Sequence, residues 1–308
     1  MRRNGGRIGT SAVRSTGASG VLSIFEQQHA IKDNQWIPIG SQANPASSIA
    51  AIRSAGTTAD GAYWFSTAKQ PTAFQAYVRF NYIDGGDWAL LLKVHNRGDM
   101  PSGSSFWTNT TLNNASDFNL ISGYWSKYAT WNGIAFNRLA MEMAGRVPPI
   151  MIFNTSRTFA EAMAATTSTV NNGGLRCDST DPSFGAGGGH DYSSASAFPM
   201  KLGTNFSRPA GGVEGFIQGY GINVLANNAS NSTTAEGSLS SVGIAGARIG
   251  APLDDSQHNF NVTSNNGSDS GFGFGATAGN TARTTSCGYI EWQSGRIDDT
   301  LPGYVWVR

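Results

Sequence analysis

The sequence predicts an α+β fold of mostly antiparallel sheets with short helices and long loops. Charged residues make up only 13% of the 308 residues, whereas glycine occurs 39 times. Such a chain owes its solubility to neutral polar groups, a profile that favours strands and turns over helix bundles. Several segments also alternate apolar and polar residues as strands do, and the helix signals are few and short.

The helix signals lie in two places. The segment NPASSIAAIRSAG offers an N-cap at Asn44, proline at the first helical position and Gly56 as the C-terminal stop. The segment TFAEAMAATT opens with Thr158 and Glu161 at the spacing of a capping box. We therefore expect one short helix in each segment.

The strand signals are stronger. GAYWFST and TAFQAYVRFNYI alternate in strand fashion, and the continuous apolar run WALLLKVH predicts a strand buried on both faces. LPGYVWVR at the C-terminus is rich in aromatic and β-branched residues, and we expect it to close a sheet. Residues 171–191 and 225–285 are dominated by Gly, Ser, Asn and Asp, so they are expected to form large loops.

Composition excludes several classes of protein. The net charge of +1 gives no reason to expect binding to nucleic acid or to an anionic membrane. No apolar run reaches the roughly 18 residues of a membrane span, and the first residues lack the apolar stretch of a signal peptide. Cys177 and Cys287 could form one bridge or stay reduced, and their spacing matches no metal motif.

The N-terminal segment differs from the rest. Residues 1–18 contain no acidic residue and carry four arginines, Arg2, Arg3, Arg7 and Arg14. Such a segment is expected to be disordered alone, so we expect a neighbouring subunit to hold it. We interpret residues 1–40 as an anchor arm with a short helix and residues 41–308 as one domain.

Two longer segments resemble a known family. SSIAAIRSAGTTADGAYWF, followed by DGGDWALLLKVHNRGDM, resembles the opening of fibrinogen-related domains, especially the intelectin branch. SDFNLISGYW and the closing GYVWVR suit the same family. The resemblance implies a fibrinogen C-terminal-like fold over residues 40–308. The chain departs from the family at Asp87, where a third glycine is usual, and it lacks the many cysteines of animal members.

The arm resembles a different group of proteins. Its basic start followed by ASGVLSIFEQQHAI is similar to the leader of virion structural proteins of tailed bacteriophages, in which fibrinogen-like domains also occur. This resemblance implies a place on the surface of the phage particle, with the arm contacting other virion proteins and the copies forming a homo-oligomer. A capsid fibre or decoration and a tail appendage both remain open.

The intelectin resemblance also implies a calcium site. His95, Asn96 and Asp99 match the loop that supplies calcium ligands in intelectins, and Asp117 matches a further acidic ligand. Calcium takes six to eight oxygens, so His95 is expected to offer its backbone carbonyl rather than its ring. The alternative is a polar turn in which Asp99 caps backbone amides. An ion at this place would be structural before it is functional.

A sugar site is expected towards the C-terminus. The segments LDDSQHNFNVTSNNGSD and CGYIEWQSGRIDD combine aromatic faces with amides and carboxylates, which suits the apolar patches and hydroxyls of a sugar. The candidate contacts are His258, Tyr289, Glu291 and Trp292. The alternative is that Tyr289 and Trp292 are core aromatics of the last sheet.

Another polar cluster is expected to be a flexible surface loop, with a cation loop as the alternative. It lies in CDSTDPSFGAGGGHDY and contains Asp178, Asp181, His190 and Asp191.

The sequence gives little support to an enzyme. It contains no G-x-S-x-G elbow, phosphate loop, HExxH motif or dinucleotide fingerprint. Asp298 and Asp299 would face opposite ways on one strand, which does not suit the two sides of a glycosidic bond. We therefore expect a non-enzymatic virion structural protein that displays a fibrinogen-like domain, with attachment to host-surface glycans as its role. A free calcium-dependent lectin is the alternative, and a polysaccharide-degrading tail spike ranks third.

Overall fold

The computed structural model describes a chain of sheets and short helices. The described residues are 37–95, 100, 104–143, 150–153, 155–165, 175–176, 179–180, 216–217, 221–227, 244–254, 270–277, 284–290, 297–299 and 302–308. The chain divides into two compact units, Met1–Ala89 and Leu90–Arg308, with the division inside one strand. Strand pairing is mostly antiparallel, so the predicted fold class is confirmed at this level.

The helices within these ranges are α1 Ile49–Ser54, α2 Thr130–Gly133 and α3 Phe159–Ala165. The strands are β1 Gly61–Phe65, β2 Phe74–Arg79, β3 Trp88–Val94, β4 Ser126–Lys127, β5 Arg138–Met143, β6 Met151–Ile152, β7 Leu175–Arg176, β8 Ser179–Thr180, β9 Phe216–Ile217, β10 Gly221–Asn227, β11 Ile244–Asp254, β12 Ser270–Thr277, β13 Thr284–Ile290, β14 Ile297–Asp299 and β15 Gly303–Val307. Two 3-10 turns, Ile83–Gly85 and Ser105–Trp107, precede β3 and follow it.

The first unit contains α1 and an antiparallel meander. β1 pairs with β2, and β2 pairs with the first two residues of β3. Burial alternates along β2, whereas β3 is buried at all of its positions, as its apolar run predicted. The predicted alternation therefore holds for β2 and the predicted burial on both faces for β3, whereas the alternation predicted for β1 is wrong, since burial does not alternate along that strand.

The start of α1 differs from the prediction. Ser48 is the N-cap, because its Oγ accepts a hydrogen bond from the Ala51 amide at 3.1 Å. Asn44 lies in the preceding turn, where its Nδ2 donates to the Ile37 carbonyl at 2.8 Å. Its side chain is therefore already engaged, and the helix begins later. Gly56 follows the helix with φ of 86°, which confirms the predicted C-terminal stop.

Asp87, the departure from the family pattern, has a structural partner. Its Oδ1 forms an ion pair with Arg53 Nη1 of α1 at 2.5 Å and accepts from the Asn81 amide at 3.2 Å. Arg53 also donates to Asn81 Oδ1 at 2.8 Å. A carboxylate at this position thus ties α1 to the turn before β3, which a glycine would not do.

In the second unit the C-terminal strand lies inside a sheet. The strand order is β3-β15-β5-β6-β8, and β4 pairs with β3 beside this path. All five residues of β15 are buried. The expected sheet-closing role of LPGYVWVR takes the form of a strand placed between two earlier ones.

A second sheet occupies part of the region that was expected to be loop. Its order is β14-β13-β12-β11-β10-β7, with β9 paired to β11. The expectation of large loops over 171–191 and 225–285 was wrong where β7, β8, the end of β10, β11, β12 and the start of β13 lie. Gly250, Gly273 and Gly288 stand in register across β11, β12 and β13 with φ of 146°, 125° and 135°. Such φ values suit glycine, so these strands lack the usual β-branched signal.

Several buried contacts connect elements of the second unit. A Cβ on Gly303 of β15 would lie 2.5 Å from Cys287 Sγ and 3.0 Å from Phe274, so the backbone approaches the second sheet closely there. The Trp131 ring of α2 and the Phe159 ring of α3 have centroids 4.4 Å apart.

Helix α3 begins with the predicted capping box. The Thr158 amide donates to Glu161 Oε2 at 2.8 Å, and the Glu161 amide donates to Thr158 Oγ1 at 3.2 Å. These two bonds satisfy donors that the first turn of a helix otherwise leaves unpaired.

Candidate functional site

The segment Asn113–Trp125, called here the 113–125 loop, precedes β4 and is closed at its base. Asn113 and Lys127 exchange two backbone hydrogen bonds of 2.8 and 3.2 Å. The side-chain amides of Asn113 and Asn114 both donate to the Trp125 carbonyl, at 3.1 and 2.9 Å. The ends of the loop are therefore fixed by backbone and side-chain bonds together.

Lys93 of β3 binds the loop from inside. Its side chain is fully buried, and its Nζ donates to Asp117 Oδ2 at 2.8 Å, to the Asn119 carbonyl at 2.8 Å and to Ser122 Oγ at 2.6 Å. An ammonium has three N–H donors, and each has an acceptor here. The Ser122 hydroxyl in turn donates to Asp117 Oδ2. Ion pair and hydroxyl form one connected network.

Burial and hydrogen bonding act in opposite directions on Asp117. Desolvation raises the pKa of this carboxyl, but the hydrogen bonds from Lys93 and Ser122 and the attraction of the ammonium outweigh it. The pKa of Asp117 therefore lies below its ordinary value, and the ion pair is formed at neutral pH.

Three further side chains bind the loop backbone. The Tyr128 hydroxyl donates to the Asp117 carbonyl at 2.7 Å. His95 Nε2 lies 2.7 Å from the Leu120 carbonyl, and the Tyr304 hydroxyl of β15 donates to the same oxygen. The backbone is thus fixed at two points besides the Lys93 network.

Two apolar side chains at the tip of the loop are exposed to solvent. Ile121 is 85% exposed and Tyr124 is 68% exposed, and they are the large hydrophobic side chains that stand out as exposed in the described part of the chain. A branched aliphatic group and an aromatic ring on a fixed loop form a surface suited to contact with a ligand.

A second buried lysine fixes the segment that precedes the loop. Lys127 Nζ donates to the carbonyls of Phe106 and Asn109 at 2.7 and 2.6 Å. It also lies 4.6 Å and 4.1 Å from the ring centroids of Phe106 and Trp131, within range of cation–π attraction. Burial lowers the pKa of Lys127 to about 8.

Two other buried charged groups lie in the sheets of the second unit. Glu142 Oε2 accepts from Trp306 Nε1 at 2.9 Å. Arg248 Nη1 donates to Asn223 Oδ1 at 2.8 Å, and burial lowers the pKa of Arg248 to about 10. The guanidinium therefore stays charged at neutral pH, and both groups bind neighbouring strands.

Two of the four predicted calcium ligands, His95 and Asp117, lie among the described residues. His95 follows β3 with its ring bonded to the Leu120 carbonyl, and Asp117 is bonded to Lys93. Asn96 and Asp99 lie outside the described residues. Among residues that the structure does describe, no group of three or more His, Cys, Asp and Glu side chains comes together. The calcium site stays a prediction.

Most of the predicted sugar contacts also lie outside the described residues. Tyr289 lies on β13, where its backbone pairs with Phe272 and Asp298. The residues outside the description are His258, Glu291 and Trp292, the arm arginines Arg2, Arg3, Arg7 and Arg14, the cluster Asp178, Asp181, His190 and Asp191, and Cys177.

The structure also places Cys287 and the pair Asp298 and Asp299. Cys287 is buried on β13. Asp298 and Asp299 are consecutive on β14, which is the arrangement assumed in setting aside a glycosidase pair.

Sequence reasoning missed Lys93, Ser122 and Tyr124. Only Lys93 carried a signal: a lysine inside a run predicted to be buried on both faces must find acceptors for its ammonium. The sequence did not say where those acceptors lie, because Asp117 and Ser122 are 24 and 29 residues further along.

Comparisons with known proteins identify no relative from which a function could be transferred. The chain matches no protein-family model, no curated protein and no solved structure. In the described ranges no helix is both long and apolar enough to cross a membrane.

Proposed function

We propose that the chain is a non-enzymatic structural protein of a bacteriophage particle, held by its N-terminal arm and displaying a fibrinogen-like domain that contacts host-surface glycans. The observation that carries the proposal is the 113–125 loop, which presents Ile121 and Tyr124 to solvent from a backbone fixed by Lys93. The two sequence resemblances support the fibrinogen-like fold and the place on a phage particle in this proposal.

The use made of buried charge supports a structural role. Lys93, Lys127 and Arg248 donate to oxygens of their own chain, and Glu142 accepts from an indole of its own chain. These contacts connect strands and loops to each other. Strong internal pairing of this kind favours a rigid scaffold.

The chemistry of the loop tip supports a sugar as the ligand. The Tyr124 ring offers a face to the apolar C–H patches of a pyranose, and Ile121 adds aliphatic surface. Asn119 is exposed in the same loop, so a polar amide side chain lies close in sequence to this surface. Two exposed side chains are a small area compared with the roughly 800 Å² per partner of a stable protein interface, which favours a small ligand.

Affinity must then come from many copies. One weak sugar contact gives a dissociation constant in the millimolar range, about −4 kcal/mol. Display of many copies on one particle raises the avidity far above that of a single domain. We therefore expect particles to adhere and the isolated domain at low concentration not to adhere.

The test replaces Tyr124 on otherwise unchanged particles. Tyr124→Ala should weaken adhesion to host-surface polysaccharide, because the ring face is lost, while Tyr124→Phe keeps the face and should adhere like the wild type. Tyr124 is 68% exposed, so neither variant should change the melting temperature. Equal adhesion of all three particles would remove Tyr124 from the site, and absence of adhesion by wild-type particles would contradict glycan attachment itself.

A further inference from the structure

We infer that the Lys93 ammonium, a cation fixed covalently to β3, organises the 113–125 loop in the place that the family resemblance assigns to a calcium ion. The inference rests on the contacts of this loop and is independent of the proposed role in adhesion. It concerns Asp117, the predicted acidic ligand on the loop.

The oxygens of the loop do not fit a calcium site. Calcium takes six to eight oxygens at about 2.3–2.6 Å, from carboxylates, carbonyls and water. Asp117 is the only acidic residue between positions 113 and 125, a segment described without gaps. Its Oδ2, the Asn119 carbonyl and Ser122 Oγ each accept a hydrogen bond from Lys93. These oxygens already surround a cation.

The charges and the hydrogen-bond directions also argue against a calcium ion at Asp117. The ammonium and the Asp117 carboxylate cancel, so the network needs no further positive charge. A divalent ion bound to Asp117 would lie beside the buried ammonium and be repelled by it. The Ser122 hydroxyl accepts from Lys93 and donates to Asp117, so its lone pairs and its proton are both directed within the network.

The consequence is a loop whose order does not depend on dissolved cations. The amides of Asn119 and Ile121 donate to Asp117 Oδ1 and Asn119 Oδ1, at 3.2 and 3.1 Å, so they report on the network directly. A chelator cannot remove a lysine. Ile121 and Tyr124 should therefore be presented in the same way with and without calcium.

Hydrogen exchange of the full chain, followed by mass spectrometry, tests the inference. Amides of the 113–125 loop should exchange at the same rate in millimolar calcium and in chelator. Lys93→Met should speed their exchange by about tenfold or more, because hydrogen bonds to a charged group are lost. Asp117→Asn should speed it as well, since the ammonium then lacks its counter-ion.

A matched control is available in the first unit. Asp87→Asn makes the same chemical change at another ion-paired aspartate, and it should leave exchange of the loop unchanged. If Lys93→Met does not fold, Asp117→Asn carries the test, because the Asp117 side chain is 27% exposed and tolerates the change. Slower exchange of the wild-type loop in calcium would overturn the inference. Wild-type exchange rates of the loop in folded Lys93→Met or Asp117→Asn would overturn it as well.

Discussion

Two buried lysines with different partners illustrate how single residues set the properties of this chain. Lys93 is paired with a carboxylate, whereas Lys127 Nζ donates to two backbone carbonyls and to the Asn109 side-chain oxygen and lies near two aromatic rings. Neutral acceptors compensate the lost hydration of an ammonium less fully than a carboxylate does. Burial with neutral partners should therefore make Lys127 give up its proton more readily than an ordinary lysine.

We predict that Lys127 makes stability rise at alkaline pH. Its pKa is about 8 in the folded chain and 10.5 ordinarily, so between these values the unfolded chain binds more protons, and the free energy of unfolding increases with pH. Chemical denaturation of the wild type and of Lys127→Met should show a difference that is flat below pH 8 and grows in favour of the wild type above it. A difference that stays constant across that range would contradict the assigned pKa.

At the scale of elements, the features that depend on adjacent residues could be predicted from the sequence. The capping box of Thr158 and Glu161 and the buried runs of β3 and β15 could be predicted, because periodicity and helix caps are written in adjacent residues. The N-cap of α1 could not be placed, because Asn44 and Ser48 are both good caps and a contact with Ile37 decides between them. Strands β11, β12 and β13 could not be predicted, because glycines at positive φ stand where β-branched residues would mark a strand.

We predict that the approach of β15 to the second sheet is sensitive to one methyl group. Gly303→Ala would place its Cβ 2.5 Å from Cys287 Sγ, so it should lower the free energy of unfolding by about 1–3 kcal/mol. Gly123→Ala is the matched control, since no atom beyond its two chain neighbours lies within 4 Å of its added Cβ, and it should change little. Denaturant unfolding measures both.

A double variant separates crowding from other effects at Gly303. Adding Cys287→Ala removes the sulfur and should recover part of the lost stability, as expected for two residues in contact. Equal stability of Gly303→Ala and the wild type would contradict the close approach.

At the scale of the whole molecule, the candidate site could be predicted only in part. His95 and Asp117 were predicted as calcium ligands that the intelectin resemblance implies, and that role stays a prediction. Their partners could not be read from the sequence, because Lys93, Leu120 and Tyr304 meet them through tertiary folding. Residues 1–18 of the arm lie outside the described residues, and the role proposed for them rests on their composition and on the resemblance to phage leaders.

The most direct test of the central claim, that this chain is a structural part of a phage particle, is quantitative mass spectrometry of purified particles. Particles made with the full chain should contain it at a fixed copy number relative to the major capsid protein. A chain lacking residues 1–18 should fold, as judged by circular dichroism and melting, and be absent from the particles, because it has lost the segment proposed to contact other virion proteins. Truncated chains at the normal copy number would contradict the anchor, and particles without the full-length chain would contradict the claim as a whole.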